Sequence, residues 1–231
     1  MFVEGIMIDT ELVDELAEKL SLIEVGNGLS NIVLPGTLDE NLCYFLENYN
    51  GGYTKDSYVH FFGRLGPPGH NIFEWNSSVW WKQYFGLGDN WFFFAEDVFG
   101  NQFGVNLTQP ELGFFMLWVD DGRLEPFAPD FENFVEFTIF DYAIFGRMRD
   151  LSENFYQVMG GRVPRFHHIA YKKPILLGGD ASDVDNLETA EALGHIRLLG
   201  QIVHQVKQFP IGTKIKEIVF NREKNEVTLI A

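Results

Sequence analysis

WFFFAEDVFGNQFGVNL, Trp91–Leu107, is the stretch from which the rest of the chain is read. Four consecutive apolar residues run into an acidic pair, Glu96 and Asp97. Phe99, Gly100 and Asn101 follow, and then the alternating run Gln102–Leu107. A Gly beside an Asn supplies the left-handed backbone positions of a tight hairpin, so the stretch reads as strand, turn, strand. Aromatic-rich segments on both sides make it the central hairpin of an antiparallel sheet.

Working outward, Gly113–Val119 reads as the next strand, with Asp120-Asp121-Gly122 as its turn. Phe131, Phe134, Val135, Thr138 and Ile139 then recur at helical spacing behind Asp130, a natural N-cap. Helical character runs on to about Met159. On the other side, Tyr53, Tyr58, Val59, Phe61 and Phe62 suggest a short strand, and Gly63–Gly69 with its Pro67-Pro68 is a loop. Residues 72–85 fit neither helix nor strand decisively. Towards the N-terminus, Leu12, Val13, Leu16, Ala17 and Leu20 share one helical face over Asp9–Ser21, which Gly26-Asn27-Gly28 breaks. A second helix follows Leu34-Pro35, carries Leu38, Leu42, Phe45, Leu46 and Tyr49, and stops at Asn50-Gly51-Gly52.

Gly160-Gly161 with Pro164 marks a module boundary, dividing the chain into 1–159 and a C-terminal extension, 160–231. In the extension, Ile169–Leu177 is extended, Gly178–Asn186 is a polar turn, and Thr189–Lys207 reads as a helix. A closing hairpin pairs the residues around Val219 with Glu226–Ile230 about Glu223-Lys224-Asn225. The fold class expected is α+β: a twisted antiparallel sheet with helices mainly on one side, plus a smaller α/β module.

The charge is lopsided. Of 33 acidic and 17 basic side chains, residues 1–160 hold 25 and 7 (net −18), and residues 161–231 hold 8 and 10 (net +2). Such a field repels nucleic acid and anionic lipid and attracts basic partners; it also simply keeps a protein soluble. The single cysteine, Cys43, sits on the flank of an apolar helical face, which excludes an intrachain disulfide and a Cys-based zinc site. The N-terminus lacks a basic leader segment, and no apolar run approaches the ~18 residues of a spanning helix. A cytoplasmic protein without membrane contact is expected.

Chemistry-bearing patterns are weak. Asp180–Asn186 clusters oxygen ligands, but Asp185 stands where a calcium loop needs Gly, so a polar helix-capping turn is the simpler reading. His167 and His168 point to opposite faces of a strand, and His195 and His204 to opposite sides of a helix, so neither pair shares a metal. No nucleophile elbow, phosphate loop, dinucleotide fingerprint or zincin motif occurs. Catalytic residues, metal ligands and cofactors are therefore expected to be none. Trp75, Trp80, Trp81 and Trp91 are suited to stacking on sugars, but core packing explains them as well. Asp89, Glu96, Asp97, Asp120, Asp121, Glu125 and Asp130 lie at hairpin ends and turns, where they would be exposed as either solvated loops or a surface for a basic partner.

Two resemblances follow. The acidic leading helix, Leu34-Pro35 entering a helix that ends Phe45-Leu46-Glu47-Asn48-Tyr49-Asn50-Gly51-Gly52, then FAEDVFGNQFGVNL, the strand Gly113–Val119 and a closing FENFVEF together resemble the SUKH superfamily, the Smi/Knr-like group. Lys173–Lys207, with Gly178-Gly179, Asn186-Leu187, His195 and Leu198-Leu199-Gly200-Gln201, is similar to the C-terminal module of GAD-like, Tdi-type immunity proteins of type VI secretion systems. Both resemblances imply an immunity protein that neutralises a cognate secreted toxin, often a nuclease, by binding it rather than by catalysis. Some eukaryotic SUKH-like proteins are cell-wall regulators, so a carbohydrate-binding or cell-wall role using the aromatic face is the alternative.

Overall fold

The computed structural model describes residues 8–23, 33–141, 143–221, 224 and 226–231. Gly26-Asn27-Gly28, Glu223 and Asn225 lie outside them. Helix α1 (Thr10–Lys19) starts where Asp9 accepts a hydrogen bond from the Leu12 amide and buries Val13, Leu16 and Ala17. Helix α2 (Glu40–Asn48) is capped by Asp39, which accepts from the Asn41 and Leu42 amides, and buries Leu42, Phe45 and Leu46. Its exit needs a glycine: Gly51 has φ 68°, and a Cβ there would lie 2.3 Å from the Phe61 carbonyl oxygen.

Seven strands form one antiparallel sheet in chain order: β1 (Leu20–Leu22), β2 (Gly52–Thr54), β3 (Val59–Phe61), β4 (Trp91–Asp97), β5 (Gln102–Asn106), β6 (Phe114–Trp118) and β7 (Arg123–Ala128). The Trp91–Leu107 hairpin is its centre, as expected, and the fold is α+β. The region expected as one strand around Tyr53–Phe62 is two, β2 and β3, joined by a turn at Asp56-Ser57. Strand β7 has no counterpart in the sequence reading; it accommodates Pro126 as the edge strand of the sheet. Residues 72–85 resolve into a short helix α3 (Ile72–Trp75) and a 3₁₀ turn (Lys82–Phe85).

One face of the sheet packs on α2 and α4 (Phe131–Val135, capped by Asp130), where Phe45, Phe61, Phe94, Phe103, Phe114 and Phe134 meet edge to face. A β-bulge between Phe93 and Ala95 lets both Phe94 and Ala95 face that helical layer. The bulge shifts the alternation by one residue, so Glu96 turns to the opposite face.

The opposite face is covered too. Beyond helix α5 (Gly146–Met159), strands β8 (His167–Tyr171) and β9 (Leu187–Glu191) pair as a ribbon, and α6 (Ala192–Val206) packs beside it. The helix expected from Thr189 thus begins only at Ala192; the residues before it are β9, capped off by Glu191, whose carboxylate accepts from the Leu193 and Gly194 amides. The Ile169 amide donates to the Val98 carbonyl (2.8 Å), and Ile169, Leu187, Ala192, Ile196 and Leu199 belong to the same apolar core as the large sheet. Strands β10 (Glu217–Asn221) and β11 (Glu226–Ile230) close the chain as a separate hairpin on α6.

Candidate functional site

A single cross-strand row decides the chemistry of the second sheet face. Tyr53, His60, Glu96, Gln102 and Leu117 stand directly opposite one another on β2 through β6. Directly opposed residues share a face, so three polar side chains are aligned beneath the β8–β9 ribbon and α6.

Glu96 is the hub. Oε1 lies 3.0 Å from His60 Nδ1, and Oε2 accepts from Gln102 Nε2 at 2.9 Å. His168 Nε2 sits 3.1 Å from Oε2, an ion-pair contact whose angle falls short of a well-directed hydrogen bond. Gln102 is itself held by the Trp75 indole N–H, which donates to Oε1 at 2.7 Å. His168 Nδ1 then meets His195 Nδ1 at 3.1 Å. Two imidazole nitrogens at that distance share one proton, one donating and the other accepting. At the rim, His70 reaches Glu191 at 3.2 Å. Four of the six histidines therefore lie along the seam between the seven-stranded sheet and the C-terminal part.

Burial pushes the Glu96 carboxyl up, but the charge and close contact of His168 and the hydrogen bond from His60 more than reverse this and hold it well below the usual carboxylate range. A carboxylate only accepts, so His60 Nδ1 carries the proton. Burial lowers the His60 pKa and, with the neighbouring His168, lowers that of His195 to about 3. Beside the hub, burial raises Asp97 to about 6 against the hydrogen bonds from Asn101 and Phe99. The Tyr53 ring stacks on His60, centroids 4.1 Å apart. A cavity of about 140 Å³ lies against this row, lined by Tyr53, Tyr58, His60, Glu96, Asp97 and His168 among others. The arrangement locks two imidazoles to one carboxylate across the seam.

The acidic residues singled out in the sequence are dispersed. Glu96 and Asp97, expected to be exposed at a hairpin end, are buried at 3% and 1% exposure. Strand β4 continues through both, and the C-terminal part covers them. Asp97 caps its own turn, accepting from the Phe99 and Asn101 amides. Asp89 is exposed; Asp120, Asp121 and Glu125 cluster on the β6–β7 turn and strand; Asp130 is occupied in capping α4. Asp121 and Glu125 both pair with Arg123. Burial and the neighbouring Asp97 and Asp121 raise Asp120 to about 7. Asp120 borders a groove of about 510 Å³ with Trp118, Arg147, Asp150, Leu151 and Tyr171. Trp75 and Trp81 lie in the core, and burial raises the Cys43 thiol to about 11. Asp180 bonds Ser182 and Asp183 caps the next turn, and no three His, Cys, Asp or Glu side chains among the described residues are placed to hold a metal ion.

Nothing local in the sequence pairs His60, His168 and His195, which stand at least 27 positions apart. The available signal was polar residues at inward positions of otherwise apolar strands: Glu96 after FFFA and His60 between Val59 and Phe61.

A seven-stranded antiparallel meander with helices on one face and a buried polar seam on the other defines an α+β fold. Residues 13–136 match the SMI1 / KNR4 family (SUKH-1), and the chain belongs to this family. The family is generally one of non-catalytic immunity proteins, and membership is consistent with such a role. The match contains His60, Glu96 and Gln102 but ends before His168 and His195, and the stretch likened to GAD-like proteins lies outside it. The crystal structure of Atu4351 from Agrobacterium tumefaciens has a similar fold, with TM-score 0.55 and 14% identity over 81% of this chain and 88% of that one. No curated protein matches the sequence. No helix among the described residues is long and apolar enough to cross a membrane.

Proposed function

We propose that the protein is an immunity protein that binds a cognate secreted toxin, a basic nuclease acting in the cytoplasm, and neutralises it stoichiometrically by covering its active site. The observation carrying this reading is membership of the SMI1 / KNR4 family over residues 13–136. The net charge of −18 on residues 1–160 supports a basic partner. With Glu96 and Asp97 buried, the contact surface is Asp89, Asp120, Asp121, Glu125 and Asp130, centred on the β6–β7 turn and the adjoining groove.

Co-expression with the toxic domain encoded beside the gene tests it. Growth is restored and the two chains co-purify at one to one; absence of both rescue and complex overturns the reading.

A further inference from the structure

The C-terminal hairpin exposes more apolar surface than its position requires. Ile218 and Phe220 are each 48% exposed, Val219 and Ile230 each 42%. Strand β10 pairs with β11 in unbroken register over Glu217–Asn221, and no other described strand pairs with it. Its other edge carries no Lys, no Pro and no bulge within EIVFN, and Glu217 at its start is the strand's one charge.

The two faces of β10 differ. Ile218 stands opposite Leu229 and Phe220 opposite Val227, and both partners are buried against Ile202 of α6. Ile218 and Phe220 therefore share the inner face and overhang an apolar groove of about 400 Å³ lined also by Leu198, Leu199, Ile202 and Val227. Val219, opposite Thr228, is on the outer face.

We infer that β10 pairs with β10 of a second copy of this chain, antiparallel about a two-fold axis at Val219, to give a continuous four-stranded sheet. An axis normal to the sheet keeps the inner faces on one side only if it passes through a residue, because the side-chain period is two. Centred on Val219, that register sets Ile218 opposite the second copy's Phe220 on the inner face, over the apolar groove. It sets Glu217 opposite Asn221, so no like charges face each other within the strands. Residues 161–231 carry +2 against −18 for the rest, so this end of the molecule meets its copy without the repulsion of the acidic part. The occupant favoured over a strand of a foreign protein is thus a second copy, whose own sequence complements the edge.

Light scattering on the full chain across a concentration series tests this. The wild type approaches twice the 26.5 kDa of one chain as concentration rises. Val219→Lys and Val219→Glu each remain monomeric with unchanged far-UV circular dichroism, because two like charges meet at the axis. Mixing these two variants restores the dimer. A wild type that stays monomeric, including one that acquires a strand only from a foreign partner, overturns the inference; so does a dimer that survives Val219→Lys, or a mixture that stays monomeric.

Discussion

Glu96 shows what one side chain does when both faces of a sheet are covered. It is ionised, buried, and shared by His60 and His168, which come from the large sheet and the C-terminal ribbon. Removing one partner of a buried pair leaves the others desolvated and uncompensated. Glu96→Gln is therefore expected to lower stability by about 3 kcal/mol in urea denaturation, far beyond a surface charge change. His195 adds a pH dependence. Burial and His168 hold it neutral in the fold down to about pH 3, whereas an unfolded histidine titrates near ~6.5. Between those values the unfolded chain binds more protons, so this contribution to stability is lost as pH falls from about 6.5. At pH 5 the loss is on the order of 2 kcal/mol. Asp97 and Asp120, raised to about 6 and about 7, act with the opposite sign, since the folded chain takes up their protons first. The histidine is isolated by difference: His195→Gln gains stability relative to the wild type between pH 7.5 and pH 5 in parallel denaturant titrations.

At the scale of the element, the β4–β5 turn is constrained by what lies over it. Gly100 has φ 90°, and a Cβ there would sit 2.7 Å from His168 Nδ1. Gly100→Ala combines a left-handed backbone with a collision against a buried imidazole, and is expected to cost about 2 kcal/mol and depress the melting temperature. The hairpin itself is legible from Gly100-Asn101 and the flanking apolar runs. Its acidic pair reads as exposed, because consecutive charges after FFFA look like the approach to a solvated turn, while the bulge at Phe94 carries the strand on and redirects Glu96. The end of β9 reads as part of α6 because Thr189–Lys207 has helical spacing; its pairing with β8 overrides that preference. Short strands such as β2 and β3 carry too few residues for alternation to separate them.

For the whole molecule, the charge asymmetry makes a kinetic prediction. Reversing Asp120 and Asp121 together is expected to slow association with the cognate toxin roughly tenfold at low salt, with a much smaller effect above the salt concentration that screens exposed charges. Stopped-flow rates at two ionic strengths check it; equal slowing at both would assign the residues to direct packing rather than steering. Sequence alone carries the α+β class, the order of the main strands and helices, the helix cap at Asp130 and the lopsided charge. These depend on local periodicity, cap chemistry and composition. Only the tertiary structure decided that the second sheet face is covered, and hence that Glu96 and Asp97 are internal. It alone joined His60, Glu96, His168 and His195 into one network, because the residues meet across 27 to 72 positions of chain through strand register and helix docking, which no local pattern encodes.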